Sequence, residues 1–196
     1  MKLSDVSFHA SALSQFFPAL FESGLITRQG GLSGQLKLLP NLARYRFTTA
    51  REIEQAYLTC PDRLALIDDD GTLTYRQLRS HAQNFARYLK SLELPEIRLG
   101  VMARNGRGII IPLGAKGYAG AGIYLLNVGS SPEQLAGCIE ENNINVLVID
   151  DEFIDRLDPA YHERIAVIIG HDSGAEHFGL PRLDGIVKHA EAVRDI

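Results

Sequence analysis

Cysteine is scarce: the 196 residues carry only Cys60 and Cys138, which form neither a CxxC pair nor a cluster with histidine. That excludes a zinc site or a disulfide framework as the organising device, and such usage fits a reducing cytoplasm. Positive charge is also short, because 20 Lys and Arg stand against 24 Asp and Glu, a net charge of -4. Nucleic-acid binders concentrate an excess of basic residues, so no nucleic acid partner is expected. No run reaches the roughly 18 uninterrupted apolar residues of a membrane span. The apolar stretch after Lys2 is broken by Asp5, Ser14, Gln15 and Glu22 and has no small-residue cleavage site, so it does not read as a signal peptide. A phosphate loop of the form GxxxxGK followed by Ser or Thr is missing throughout, and there is neither a repeat nor a low-complexity segment.

What is present is the composition of a soluble globular chain, 45% apolar and 22% charged, with length enough for one main core and an extra lobe. In residues 6–26, Leu13, Phe16, Phe17, Leu20 and Phe21 recur at helical spacing, and Pro18 bends or restarts that helix. Gly24 to Arg51 contains no acidic residue but has Arg28, Lys37, Arg44, Arg46 and Arg51. Residues 1–47 therefore read as a helical, basic strap packed on a larger body. The alternative is a peripheral hold on an anionic membrane surface. The glycines of 28–35 read as a flexible connector, and helical character resumes over 48–58 before Cys60 and Pro61.

From residue 63 the period changes. "RLALID" at 63–68 alternates as a half-buried strand, "DDDG" at 68–71 turns on Gly71, and "TLT" returns as the second strand of a hairpin. Thr74 caps the next helix, with Gln77 completing a reciprocal capping box. Leu78, Ala82, Phe85, Leu89 and Leu92 then form one apolar stripe. A strand at 99–103 leads through "RNGRG" into a helix over 107–119, where Gly108, Gly114 and Gly117 weaken the helix but permit close packing, and Pro112 interrupts it. A strand follows at 122–127. Ser131, Pro132 and Gln134 repeat the capping arrangement, and Leu135, Cys138 and Ile139 are expected to face inward together. The runs 144–150 and 165–170 are nearly continuous apolar strands of the kind covered on both faces. The expected class is α/β, a mainly parallel sheet flanked by helices.

Each tempting chemical site has a plainer reading. "GYAGAG" at 117–122 has the order GxxGxG and precedes a strand, whereas a dinucleotide loop follows a strand and opens a helix. "HDSGAEH" at 171–177 offers His171, Ser173, His177 and two carboxylates, yet a glycine-containing loop has no spacing that guarantees convergence, so it reads as a solvated loop. "DDDG" lacks the later ligand positions of a calcium loop and is a turn. His81 reads as a half-exposed surface histidine. The residues alone assemble no nucleophile, base and oxyanion donor, and no catalytic, cofactor-binding or metal-ligating residue is assigned.

The order of motifs nevertheless resembles the N-terminal signature of the adenylate-forming superfamily, which includes acyl-CoA synthetases, peptide-synthetase adenylation domains and luciferases. The resemblance runs through "PDRLALIDDDGTLTYRQLRSHAQNFARYLKSL", with Gly71, Leu73, Thr74, Tyr75 and Leu78 at its centre. It continues through "ARNGRGIIIPLGAKGYAGAGIYLLN", with Asn105, Gly120, Tyr124 and Asn127 at matching positions, and through "SPEQLAGCIEENNINVLVID". It covers roughly residues 48–150, with weaker continuity to 196. "RNGRG" and "LLNVGSSPEQL" look most like fatty acyl-CoA ligases. "LELPEIRLG" lacks the family's usual glycine and aspartate, and Pro112 stands in a helix normally free of it.

The resemblance implies that residues 48–196 are the first α/β subdomain of an AMP-binding domain, stopping before the family's phosphate loop. It implies a parent enzyme that joins a fatty acid to coenzyme A through an acyl-adenylate, using ATP and Mg, while this chain alone holds none of the groups that handle triphosphate. Expected partners are the remaining subdomains, the fatty acid in the parent and a second copy of the exposed fragment. The expected location is the cytoplasm, at most peripheral to a membrane. The rival readings are a freestanding interaction or membrane-surface module, and a flavodoxin-like nucleotide binder.

Overall fold

The computed structural model describes residues 36–171 and 180–189. The aromatic helix expected over 6–26 and the connector at 28–35 lie outside the described residues. Two helices come first, α1 (Leu38–Tyr45) and α2 (Thr49–Thr59). Asn41, buried between them, donates through Nδ2 to the Arg51 carbonyl at 3.1 Å, and the Thr48 side chain accepts from Arg51 N to cap α2.

The hairpin forms as β1 (Leu64–Asp68) and β2 (Gly71–Thr74), antiparallel, with Gly71 at φ 111° in the turn. That backbone region strains any residue with a Cβ, which is why a glycine sits there. The hairpin is a separate sheet of two strands rather than part of the main one. It is also less buried than its alternation predicts, because Leu64 is 56% and Ile67 72% exposed. The pattern identified the strands correctly, but no element among the described residues covers their outer face.

Helix α3 (Tyr75–Ser91) starts with both halves of the predicted capping box: Thr74 Oγ1 accepts from Gln77 N at 3.3 Å, and Gln77 Oε1 accepts from Thr74 N at 2.9 Å. Its stripe of Leu78, Ala82, Phe85 and Leu89 is fully buried. Burying each of the larger members is worth about 1.5–3 kcal/mol. Strand β3 (Arg98–Met102), helix α4 (Arg107–Ala119), strand β4 (Gly122–Leu125), helix α5 (Pro132–Glu141) and strand β5 (Val146–Asp150) follow in alternation. A 3₁₀ turn (Asp151–Arg156), the short α6 (Tyr161–Arg164), strand β6 (Val167–His171) and α7 (Leu183–His189) complete the described chain. Strands β3 and β6 each begin and end about one or two residues from the predicted limits. β4 stops at Leu125 because Asn127 starts a turn, its Oδ1 accepting from Gly129 N at 2.9 Å.

The main sheet is wholly parallel, in the order β4-β3-β5-β6. β5 shows why its sequence is continuously apolar: Val146 and Val148 enter one core with β3, α3 and α4, while Leu147 and Ile149 enter the other with α5 and the 3₁₀ turn. Alternating side chains on a strand covered on both faces leave no polar side. Leu135 and Ile139 of α5 are buried as expected, but Cys138 is only half-buried, since it sits at the margin of that face.

Helix α4 runs unbroken past Pro112, and its glycines set the packing distance. A Cβ on Gly114 would stand 2.6 Å from Ile53 Cδ1, and one on Gly117 would stand 2.6 Å from Ala50 Cβ. The predicted close approach is thus realised against α2 and α3. The weak helix former at these positions is what allows three helices to share one core.

Candidate functional site

In an open parallel α/β sheet, ligands bind beyond the carboxyl ends of the strands where the chain reverses its direction of winding. Here the chain leaves β3 toward β4 on one side and returns to β5 on the other, so that point lies between the ends of β3 and β5. Asp150, the last residue of β5 and only 2% exposed, occupies it. One carboxylate oxygen accepts from Arg104 N, just past β3, at 2.6 Å. The other lies 2.7 Å from His171 Nδ1 at the end of β6, so the protonated Nδ1 donates to the carboxylate.

His171 is therefore not the solvated loop residue that its sequence suggested. It ends a buried strand, is 9% exposed, and its ring lies against the first turn of α4, where a Cβ on Gly108 would come within 2.5 Å of Nδ1. Residues 172–179, including Ser173 and His177, lie outside the described residues.

The neighbouring groups are paired in the same way. Asp151 Oδ1 accepts from Arg182 Nη1 at 2.6 Å, and Glu152 accepts from the Arg104 guanidinium through two contacts, Nη2 to Oε2 at 2.7 Å among them. The short strand-like contact of Gly170 with Arg182 brings α7 to this edge, with Gly170 N donating to Pro181 O at 2.9 Å. The "DDDG" turn supplies more than a bend. Asp68 Oδ2 accepts from both the backbone N and Nε of Arg107, at 3.0 and 2.9 Å, while Oδ1 accepts from Nη2 at 2.7 Å. Asp68 so caps α4 from another element, and hydrogen bonding from the Arg107 side chain holds its carboxyl below the usual aspartate value.

The family-motif positions do not converge. Gly71, Leu73, Thr74, Tyr75 and Leu78 build the hairpin turn and the start of α3, with Leu73 and Leu78 buried. Asn105 is exposed and lines a groove of about 470 Å³ between β1 and the start of α4. Gly120 takes φ 75° as the C-cap of α4 at the opposite end of that helix, Tyr124 is half-buried on β4, and Asn127 makes the turn after it. Sequence reading missed the Asp150–His171 and Asp68–Arg107 pairs. The only signal available was an acidic residue closing an apolar strand.

A second buried polar cluster lies away from the carboxyl edge. Glu54 of α2 accepts from Arg79 Nε at 2.8 Å, Gln83 Nε2 at 2.9 Å and Tyr118 Oη at 3.0 Å. Burial, reinforced by the Glu54 charge, pushes the Tyr118 phenol well above its ordinary value. His81 is half-buried, in line with the half-exposed position expected of it, on the same helix as Arg79 and Gln83.

A Mg ion does not fit these groups. Among the described residues no three His, Cys, Asp or Glu side chains gather to hold a metal, and the carboxylates at the carboxyl edge are already engaged by Arg107, His171 and Arg182. Among the described residues no helix is long and apolar enough to cross a membrane.

Residues 53–186 match the family described as AMP-binding enzyme. A nonribosomal peptide synthetase, ecdA, of Aspergillus rugulosus is 27% identical over 117 residues, covering 59% of this chain and 2% of that protein. A medium/long-chain-fatty-acid and 3-oxocholest-4-en-26-oate CoA ligase of Mycolicibacterium smegmatis is 31% identical over 135 residues, covering 64% of this chain and 24% of that one. The solved benzoate CoA ligase of Burkholderia xenovorans LB400 superposes with a TM-score of 0.61 at 22% identity, over 72% of this chain and 28% of the other. That likeness shows the fold. The chain spans about a quarter of the length of the CoA ligases it matches.

Proposed function

The chain belongs to the AMP-binding enzyme family, and from that premise we propose that it forms the first α/β subdomain, residues 48–196, of a carboxylate–CoA ligase whose acid is a fatty acid. In that reaction the carboxylate attacks the α-phosphate of ATP and pyrophosphate leaves. The thiol of coenzyme A then displaces AMP from the acyl-adenylate, so ATP, Mg and CoA belong to the parent enzyme.

One observation carries the assignment of a scaffolding role: at the sheet's carboxyl edge Asp68, Asp150 and Asp151 are each committed to a partner of this same chain. Phosphoryl transfer needs donors and cations preorganised around developing charge, and groups already bonded to one another are poor candidates for that. The remainder of the enzyme supplies these groups. The exposed Leu64 and Ile67 of the hairpin support a surface covered by that remainder, and by a second copy when the chain is alone. Residues 1–47 serve as a strap on the same body. The work is placed in the cytoplasm.

Relatives include ligases of aryl acids and a peptide synthetase, so the acid is the point to test. Hydroxylamine trapping of acyl-adenylates should be run on the full reading frame with a panel of fatty acids, benzoates and amino acids. Trapping confined to fatty acids is expected. Trapping confined to aryl or amino acids would overturn the fatty acid assignment.

A further inference from the structure

We propose that the groove between the C-terminal ends of α1, α3 and α4 binds a phosphate- or diphosphate-bearing anion. The groove, of about 420 Å³, is lined by Arg44, Arg87, Lys90, Tyr45, Gln83 and Tyr118. In a protein of net charge -4, three cations share this one surface. None of the three has a carboxylate partner among the described residues. No acidic residue among those described lines the groove; Glu54, which accepts from Gln83 and Tyr118 of the wall, is itself buried and has its charge answered by Arg79 at 2.8 Å.

Two plainer explanations fall short. Cations favour helix C-termini, and Arg44 and Lys90 do sit in the last turns of α1 and α3. However, each helix end offers about half a negative charge, which leaves three full cations well in excess. Arg87, moreover, is not in a last turn. Its Nη1 donates to Asn84 Oδ1, and Asn84 is itself fixed by donating through Nδ2 to Val187 O at 2.6 Å. A neutral amide thus positions the guanidinium without cancelling its charge.

The lining chemistry selects the ligand. Guanidinium forks match phosphate oxygens through paired hydrogen bonds, and an ammonium adds a point charge. Arg44 is steadied over the Tyr45 ring at 5.4 Å, and Tyr45 packs edge-on to Tyr118 with centroids 5.4 Å apart, which gives the cations an aromatic wall. The groove is also separate from the sheet's carboxyl edge: Gly117, in its wall, lies about 15 Å along α4 from Arg107 by helical rise. The inference does not depend on the ligase reading.

The test uses calorimetric titration of the chain with inorganic pyrophosphate, and sedimentation with phosphatidylcholine vesicles containing phosphatidic acid. The groove double variant Arg87→Glu with Lys90→Glu is compared with Arg164→Glu with Lys188→Glu, which changes the same charge on exposed positions elsewhere. Circular dichroism confirms that both fold, and Arg87→Gln serves as the milder groove variant. Pyrophosphate binding weakened about tenfold or more by the groove variants and retained by the control is expected, and assigns a soluble phosphate. Vesicle binding with the same groove dependence but no pyrophosphate binding also supports the site, with a lipid headgroup as the source. Binding to neither probe, or equal loss in the control, overturns the proposal.

Discussion

Asp68 and Arg107, 39 residues apart in the chain, are joined by three hydrogen bonds of 2.7 to 3.0 Å that fasten the hairpin tip to the first turn of α4. The side chains are 7% and 12% exposed, so this is a sheltered pair rather than a surface one. Such pairs matter most when broken on one side only, because the survivor is left buried and uncompensated.

Asp70 Oδ2, 3.5 Å from Arg107 Nε, leaves the guanidinium partly answered, so Asp68→Ala is expected to lower stability by about 1–3 kcal/mol, the cost of stranding its sheltered donors, read as a shift of the urea midpoint at constant slope. Replacing both partners by apolar residues, Asp68→Leu with Arg107→Met, should cost clearly less than the single change. Equal loss in the two would show that the hairpin is held by other contacts.

The same pair sets an acid dependence. The folded-state pKa of Asp68 lies below its ordinary 3.8, so the carboxylate's contribution is present above that value and is lost as pH falls through the lower folded value. The stability difference between wild type and Asp68→Asn should hold from neutral pH to about pH 4 and shrink below it. A difference that widens on acidification would contradict the sign.

Glycine substitutions should split by position. On α4, Gly108→Ala drives a methyl toward His171 and should cost about 1–3 kcal/mol despite the better helix former. On α5, Gly137→Ala meets nothing within 4 Å and should gain about 0.5–1 kcal/mol. Differential scanning calorimetry of the two variants reads both signs at once.

Both reciprocal caps are complete, Thr74 with Gln77 and Ser131 with Gln134. Thr74→Ala and Ser131→Ala should each cost about 0.5–2 kcal/mol, while glycine at either position should cost only a few tenths relative to wild type. Chemical denaturation resolves that ordering.

These caps, the hairpin and the alternation of strands and helices along the chain were legible because their signals are local. Thr74 and Gln77 are three residues apart, and the unbroken apolar run of β5 reflects its two covered faces. The pairs at the carboxyl edge were not legible. Asp150 meets His171 across 21 residues, and only the neighbouring parallel register of β5 and β6 brings their ends together. In the linear sequence His171 begins a polar, glycine-containing stretch, and its burial follows from the sheet rather than from its neighbours. Asp68 likewise read as one acidic residue of a turn, since nothing near it announces Arg107. Helix α1 had no distinct signal either: it contains Pro40 and is tied to α2 through Asn41, a contact made across 10 residues. The exposure of Leu64 and Ile67 is the converse case, where a local pattern asks for cover that the described residues do not supply.

The most direct test of the scaffold role is ATP–pyrophosphate exchange by the purified 196-residue chain with saturating fatty acid and Mg, beside the full reading frame under the same conditions. The account predicts exchange by the full frame and background label incorporation by the chain. Fatty-acid-dependent exchange by the chain itself would contradict it, because the groups that handle triphosphate would then have to lie within these residues.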